Sequence, residues 1–359
     1  MPLQATSGAA SYDAFGGGVP VVPAYIEEVF STYLYTGTGS ALSITNNIDL
    51  STKGGLVWIK DRSVARSHVL YDTARGIYQS LSSNLTSGNT DQSPDGVTAF
   101  NTTGFSLGGG GSVGDNTNGD LYASWTFRKQ PKFFDVVTWT GDGANRTIAH
   151  NLGSVPGCII VKRTDTTGAW QVYHRSLANT EYLVLNTTAV ATTGATRWNS
   201  TTPTSTVFSL GTDATVNASG GTYVAYVYAH DAGGFGLTGT DNVISCGSFT
   251  TDGSGNATVS LGYEPQFLTF KATNNAENWG MFDIARGWSV AGNTSKLFPN
   301  LSNAQYSGSQ YGFPTATGFN VVGLSSSITY IYIAIRRGPM KVPTLGTSVF
   351  APTTQTGTG

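Results

Sequence analysis

Two pairs of residues come closest to a chemistry. Asp72 and Arg75, and again Asp283 and Arg286, stand three apart in Asp72-Thr73-Ala74-Arg75-Gly76 and Asp283-Ile284-Ala285-Arg286-Gly287. At that spacing two side chains meet on one face of a helical turn, and the closing Gly suits a left-handed cap. Such a pair either lines a charged cleft for a sugar or a carboxylate, or forms a salt-bridged corner that holds a turn. The middle of the chain has His174-Arg175 at the matching place, which fits a structural corner that has changed in one copy.

Other candidates are weaker. Asp252-Gly253-Ser254-Gly255-Asn256 has oxygen ligands at alternate positions, as calcium loops do, but lacks the downstream bidentate acid. It reads as a hairpin turn, as does Asp142-Gly143, with Gly supplying the positive φ. His68, His150, His174 and His230 stand in no metal-ligand spacing, so no metal is expected. Gly108 to Gly111 is followed by no Gly-Lys-Ser/Thr, which excludes a phosphate cradle of that type. There is no Gly-x-Ser-x-Gly elbow. A distant pair of acids for glycoside cleavage is left open by the sequence, but carboxylates are few. Trp198-Asn199, in a Thr/Ser-rich stretch, offers an aromatic platform for a sugar ring, with an ordinary packing Trp as the alternative. No catalytic residue and no cofactor is assigned.

The elements that would position these residues recur. Gly55-Leu56-Val57-Trp58-Ile59-Lys60 returns as Gly157-Cys158-Ile159-Ile160-Val161-Lys162 and as Gln266-Phe267-Leu268-Thr269-Phe270-Lys271. The closing lysines stand roughly a hundred residues apart, which is a domain-sized repeat rather than a short solenoid unit. A Leu-x-x-Asn follows each run, at Leu81, Leu183 and Leu297. Each copy closes on an apolar strand, read as Tyr122-Ala123-Ser124-Trp125, Tyr223-Val224-Ala225-Tyr226 and Tyr332-Ile333-Ala334-Ile335. Short runs of Val, Ile, Thr and aromatics between Gly, Asn, Asp and Pro clusters read as strands. The expected fold is all-β: three tandem β-sandwich repeats, jelly-roll or Ig-like, over 30–132, 133–236 and 237–340. An extended N-terminal arm (1–29) and a short Pro/Thr/Gly-rich tail (341–359) flank them.

Of 359 residues only 11% are charged, and the net charge is −2. That balance gives no electrostatic case for nucleic acid or an anionic membrane. No run nears the roughly 18–20 apolar residues of a membrane span, and the start shows no basic segment followed by an apolar core, so no secretory signal is read. Cys158 and Cys246 sit at non-equivalent places in different repeats and read as buried thiols. A strand with one wet face should alternate apolar and polar. Leu56-Val57-Trp58-Ile59 and Tyr330-Ile331-Tyr332-Ile333 do not. Trp58, Ile59, Tyr330 and Ile331 are therefore expected to contact another repeat or another subunit, and a homo-oligomer is predicted on that ground. Tyr12, Phe15 and Tyr25 in the arm suit an anchor threaded into a neighbour, against the alternative of a plain tail.

Leu56-Val57-Trp58-Ile59-Lys60-Asp61-Arg62, Leu70-Tyr71-Asp72-Thr73-Ala74-Arg75-Gly76, Leu81-Ser82-Ser83-Asn84 and Gly104-Phe105-Ser106-Leu107-Gly108 resemble a repeat domain of bacteriophage particle proteins. It is common in phages of aquatic bacteria, in tail-fibre and virion structural proteins. The opening Ser11-Tyr12-Asp13-Ala14-Phe15-Gly16-Gly17-Gly18 and the ending Ala334-Ile335-Arg336-Arg337-Gly338-Pro339-Met340 resemble that group too. The resemblance covers nearly the whole chain and is strongest in the first repeat. It implies a virion location after synthesis in the host cytoplasm and other virion proteins as partners; a host surface glycan is a further candidate partner on the tail-fibre expectation. The resemblance also implies a fibre that is commonly a trimer. The expected function is a tail fibre or tail appendage held to the particle by its arm. The alternatives are a capsid decoration or head–tail connecting protein without receptor binding, and a depolymerising enzyme. The resemblance brings no catalytic residues with it.

Overall fold

The structure, a computed structural model, describes residues 23–109, 113–290 and 292–341. It is nearly all β, with 40% strand and 4% helix, and its sheets are antiparallel. The first repeat holds β1 (Phe30–Thr36), β2 (Leu42–Thr45), β3 (Gly55–Asp61), β4 (Val69–Asp72), β5 (Gln79–Ser80), β6 (Thr90–Asp91), β7 (Val97–Asn101), β8 (Gly104–Leu107) and β9 (Leu121–Arg128). The second holds β10 (Phe134–Thr140), β11 (Arg146–Ala149), β12 (Cys158–Arg163), β13 (Gln171–His174), β14 (Glu181–Val184), β15 (Thr192–Thr193), β16 (Val207–Leu210) and β17 (Thr222–Tyr228). The third holds β18 (Ile244–Thr250), β19 (Ala257–Ser260), β20 (Pro265–Ala272), β21 (Gly280–Asp283), β22 (Gly312–Thr315), β23 (Gly318–Val321) and β24 (Thr329–Arg336).

One strand order is written three times: β1-β9-β3-β4, β10-β17-β12-β13 and β18-β24-β20-β21. The second of these sheets continues into β14 and β15. Smaller sheets, β2-β8-β7, β11-β16 and β19-β23-β22, complete the repeats. In the first repeat Val57, Ile59, Tyr71 and Tyr122 of the main sheet pack on Ile44 and Phe105 of the smaller one. In the third, Leu268, Phe270 and Phe282 meet Phe319 and Val321 in the same way.

The other face of each main sheet turns toward the other two repeats. Leu56, Trp58 and Trp125 share one core with Ile160, Tyr226 and Tyr228 and with Phe267, Ile333 and Ile335. This explains the missing alternation: β3 is buried at every position. Trp58 and Ile331 face the shared core, whereas Ile59 and Tyr330 face the core of their own repeat. The company those strands need is therefore supplied inside the chain, and the ground for a homo-oligomer is met without a second copy.

The pairing corrects one sequence alignment. Lys60, Lys162 and Lys271 lie opposite Ala123, Val224 and Ile331. Tyr330, not Tyr332, is then the equivalent of Tyr122 and Tyr223. A slip of two leaves every side chain on its face, so alternating Tyr330 and Tyr332 disguised it.

The arm through residue 22, including Tyr12 and Phe15, Gly110 and Gly111, and the tail from residue 342 lie outside the described residues. Residues 23–29 belong to the fold: Ile26 and Val29 are fully buried. Gly236 N–H donates to Ala24 O at 2.9 Å. Glu27 accepts from the backbone N–H groups of Met340 and Lys341, each at 3.0 Å, and Lys341 Nζ reaches Glu28 at 2.6 Å. The two ends of the described fold thus meet at one corner.

Candidate functional site

The Asp–Arg pairs sit where β4 and β21 end in tight turns. Arg75 Nε donates to Asp72 Oδ2 at 2.6 Å, and Arg286 Nε to Asp283 Oδ2 at 2.6 Å. Each aspartate also accepts the N–H of its arginine, as a cap does. Gly76 (φ 94°) and Gly287 (φ 98°) close the turns in the left-handed conformation. Both carboxylates are fully buried. They are corners: both carboxylates are closed to a ligand, while Arg75 edges a surface cleft with Ala74 and Trp139.

Their remaining lone pairs face another repeat. Tyr226 O–H of the second repeat donates to Asp72 Oδ2 at 2.9 Å, and Trp125 Nε1–H of the first donates to Asp283 Oδ2 at 3.0 Å. At the corresponding seam His174 Nε2 meets Tyr332 O at 3.1 Å. Two more sets of equivalent bonds link the same three seams. His68 Nε2 meets Phe298 O at 3.0 Å, Trp170 Nε1 donates to Ser82 O at 2.9 Å, and Trp279 Nε1 to Val184 O at 3.1 Å. Backbone N–H groups of Asn89, Ala191 and Gln305 donate to the carbonyls of Thr164, Thr273 and Arg62 at 2.7, 2.7 and 2.9 Å. Each set passes first to third, second to first and third to second, or the reverse. The three repeats therefore close into a ring with cyclic, threefold-like contacts.

The ring is tightly filled. A gap of about 20 Å³ on its axis is lined by Trp58, Phe127, Ile160, Tyr228, Phe267 and Ile333, among others, from all three repeats. At the seam between the second and third repeats, a Cβ on Gly157 would stand 2.6 Å from Cys246 Cβ, so Gly there permits the close approach. Both thiols are buried and free, and burial pushes their pKa values up. Lys60, Lys162 and Lys271 lie at the end of the shared face. Each Nζ turns onto the carbonyl of the next residue, at 2.5, 2.8 and 2.8 Å. Burial pushes all three down to about 8.

The indole bonds predict a measurable share of seam stability. Trp170→Phe and Trp279→Phe keep most of the buried ring but remove the donor that reaches Ser82 O or Val184 O across the seam, leaving those carbonyls only the Leu85 N–H at 3.2 Å or the Thr187 N–H and hydroxyl at 3.4 Å. Each is expected to lower the unfolding free energy by about 1–2 kcal/mol, read from urea denaturation midpoints. Losses near zero would mean that the seams rest on apolar packing alone.

Trp198 does not serve as a sugar platform. It is 2% exposed, ends a short helix (Ala195–Trp198), donates Nε1–H to Glu181 O at 3.1 Å and packs edge-on to Tyr173. The packing alternative holds because the loop folds the indole inward. Asn199 takes the left-handed cap position at φ 51°. Asp252 Oδ1 accepts from the N–H groups of Ser254 and Asn256 at 2.8 and 2.9 Å, and these bonds hold its carboxyl low. In that turn the positive φ belongs to Gly255, not Gly253.

Among the described residues no helix is long and apolar enough to cross a membrane. No curated protein matches the chain. The crystal structure of the STIV MCP is similar at 9% identity over 56% of this chain and 95% of that chain. Its TM-score is 0.20, a likeness too slight to bear on fold or function. A family model described as Domain of unknown function (DUF7483) matches residues 27–339. That span takes in all three repeats and both sides of the corner where the ends meet, and the chain belongs to this family.

Proposed function

We propose that the protein is a non-enzymatic structural protein of a bacteriophage particle, a tail fibre or related appendage. Three copies of one β-sandwich unit build its ring. The reading draws on the resemblance of Leu56–Arg62, Leu70–Gly76 and the Ala334–Met340 ending to phage particle proteins. One observation carries it: the ends of the described fold are clasped at a single corner by Glu27, Glu28, Met340 and Lys341. The first and last described stretches lie together there, so one point serves attachment and the rest of the ring is free for contact. Virion proteins are the expected partners there, and a host surface glycan the expected target elsewhere. A homotrimer loses its main motive, since the apolar strands already have neighbours, and any further assembly would use the outer surface. Neither nucleic acid nor membrane enters this reading.

Electron microscopy of particles with a gold-labelled antibody tests the placement. Label on tail appendages is expected. Label spread over the head would favour a capsid decoration protein, and label at the neck a head–tail connector. The depolymerase alternative is checked by incubating the protein with host polysaccharide, where new reducing ends would overturn the structural reading.

A further inference from the structure

What recurs three times builds the ring, so a charged cluster present in one repeat only is a candidate for something else. Lys296 precedes Leu297, where the other repeats have Ser80 and Tyr182. Glu277 stands two before Trp279, where the others have Arg66 and Gly168. These two side chains line a cleft of about 320 Å³ in the third repeat, with Asn278, Phe298 and, from the second repeat, Thr188. That volume lies at the lower end of the roughly 300–1,000 Å³ of small-molecule sites.

The cleft carries unspent bonding capacity. Lys296 Nζ lies 3.6 Å from the centroid of the Tyr311 ring and 5.0 Å from that of Phe298. Among the described residues its N–H donors have no acceptor, whereas a lysine ammonium can donate three hydrogen bonds. Glu277 is already engaged: Oε1 accepts from Asn275 at 2.8 Å and Oε2 from Tyr330 O–H at 2.8 Å. Lys271 and Lys296 both feel this one carboxylate. Lys271 Nζ is itself turned onto Ala272 O at 2.8 Å, so within the cleft lining Lys296 is the cation with donors to spare. Phe298 is half-buried, so part of its ring faces the cleft.

We propose that this cleft binds a sugar ring bearing one carboxylate, with Lys296 holding the carboxylate and Phe298 lying against the ring's apolar face. Asn278 and Thr188 supply polar contacts for hydroxyls. A neutral sugar lacks the partner for Lys296, and a purely apolar ligand leaves the Lys296 ammonium desolvated with no acceptor. The site's chemistry is independent of where the protein sits on a particle. On the attachment reading, the ring is a residue of the host glycan.

The test is calorimetric or NMR titration of the full chain with methyl β-glucuronide and with methyl β-glucoside. Saturable glucuronide binding is expected, at least about tenfold tighter than the glucoside, and at least about tenfold weaker in Lys296→Met than in wild type. Lys296→Arg should keep much of it. Wild type alone gives a further readout. Burial pushes Lys296 down to about 8, so binding should weaken several-fold from pH 7 to pH 9 as the ammonium loses its proton. No saturable glucuronide binding, equal binding of both sugars, or binding untouched by Lys296→Met and by pH overturns the proposal. The gold-labelling result bears on the virion reading separately, so either can fail without the other.

Discussion

Asp283→Ala is expected to lower the free energy of unfolding by about 3–5 kcal/mol, the cost of leaving a buried charge without its partner. The Arg286 side chain is fully buried. Among the described residues, apart from Asp283 its side chain has one acceptor, Met281 O at 3.1 Å, and its Nη1 is already buried without a partner. Removing the carboxylate also strips the acceptor from Trp125 Nε1 across the seam. Asp72→Ala should cost less. Arg75 also donates to Gln79 O, Asn89 Oδ1, Leu70 O and Tyr226 O–H, at 3.0, 2.7, 3.0 and 3.3 Å. Guanidinium unfolding at pH 7 measures both. Asp283→Ala combined with Arg286→Met should recover much of the loss, because a buried pair can be replaced by apolar side chains at little cost. A single-mutant loss below about 1 kcal/mol would show that the corner holds nothing.

Acid should act on the seam between the second and third repeats through His174. Its ring is fully buried. Nδ1 accepts the N–H of Ser176 at 3.2 Å, and Nε2 faces Tyr332 O at 3.1 Å. A carbonyl only accepts, so the proton is on Nε2 and the ring is neutral. Burial pushes its pKa down to about 3. The unfolded chain takes up a proton below about pH 6.5, while the folded one refuses it until about pH 3. Stability from this group is therefore present above pH 6.5 and is lost as pH falls toward 3. Between pH 7 and 4.5 the loss amounts to about 2–3 kcal/mol. Asp115 works the other way, since burial raises its pKa to about 6, and the comparison should cancel it. The unfolding free energy of wild type minus that of His174→Gln is expected to fall by that amount over this range. A difference that stays constant with pH would rule out a neutral, buried His174. His68 has the same arrangement, with Nδ1 accepting from Trp58 Nε1 at 2.9 Å, and burial lowers its pKa well below the usual value.

Strand content and the two-faced burial of β3 and β24 were legible, because period-2 alternation reports directly on which faces are wet. The helical-turn corners were legible from Asp-x-x-Arg-Gly, since only a few residue types satisfy a tight turn and its left-handed cap. What the corners do across a seam was not. Asp72 and Tyr226 lie far apart in sequence, and nothing local in either stretch names the other. One signal did exist for the closed ring. His68, Trp170 and Trp279 hold the same place in their repeats, and each is a ring with an N–H. Trp198 gave no such warning, because a short helix inside a Thr/Ser-rich stretch looks like loop. The cleft around Lys296 was also missed, since Glu277 and Lys296 are ordinary surface types until folding brings them together.

The closed ring also bears on heredity. When three identical chains surround an axis, one altered codon changes all three junctions at once, and a harmful change is felt threefold. Here each junction has its own codons. His174-Arg175 stands where the other copies have aspartate before the turn, and its junction runs through Tyr332 O while the other two run through Asp72 and Asp283. A single-chain ring can thus revise one side at a time and keep the other two as a template.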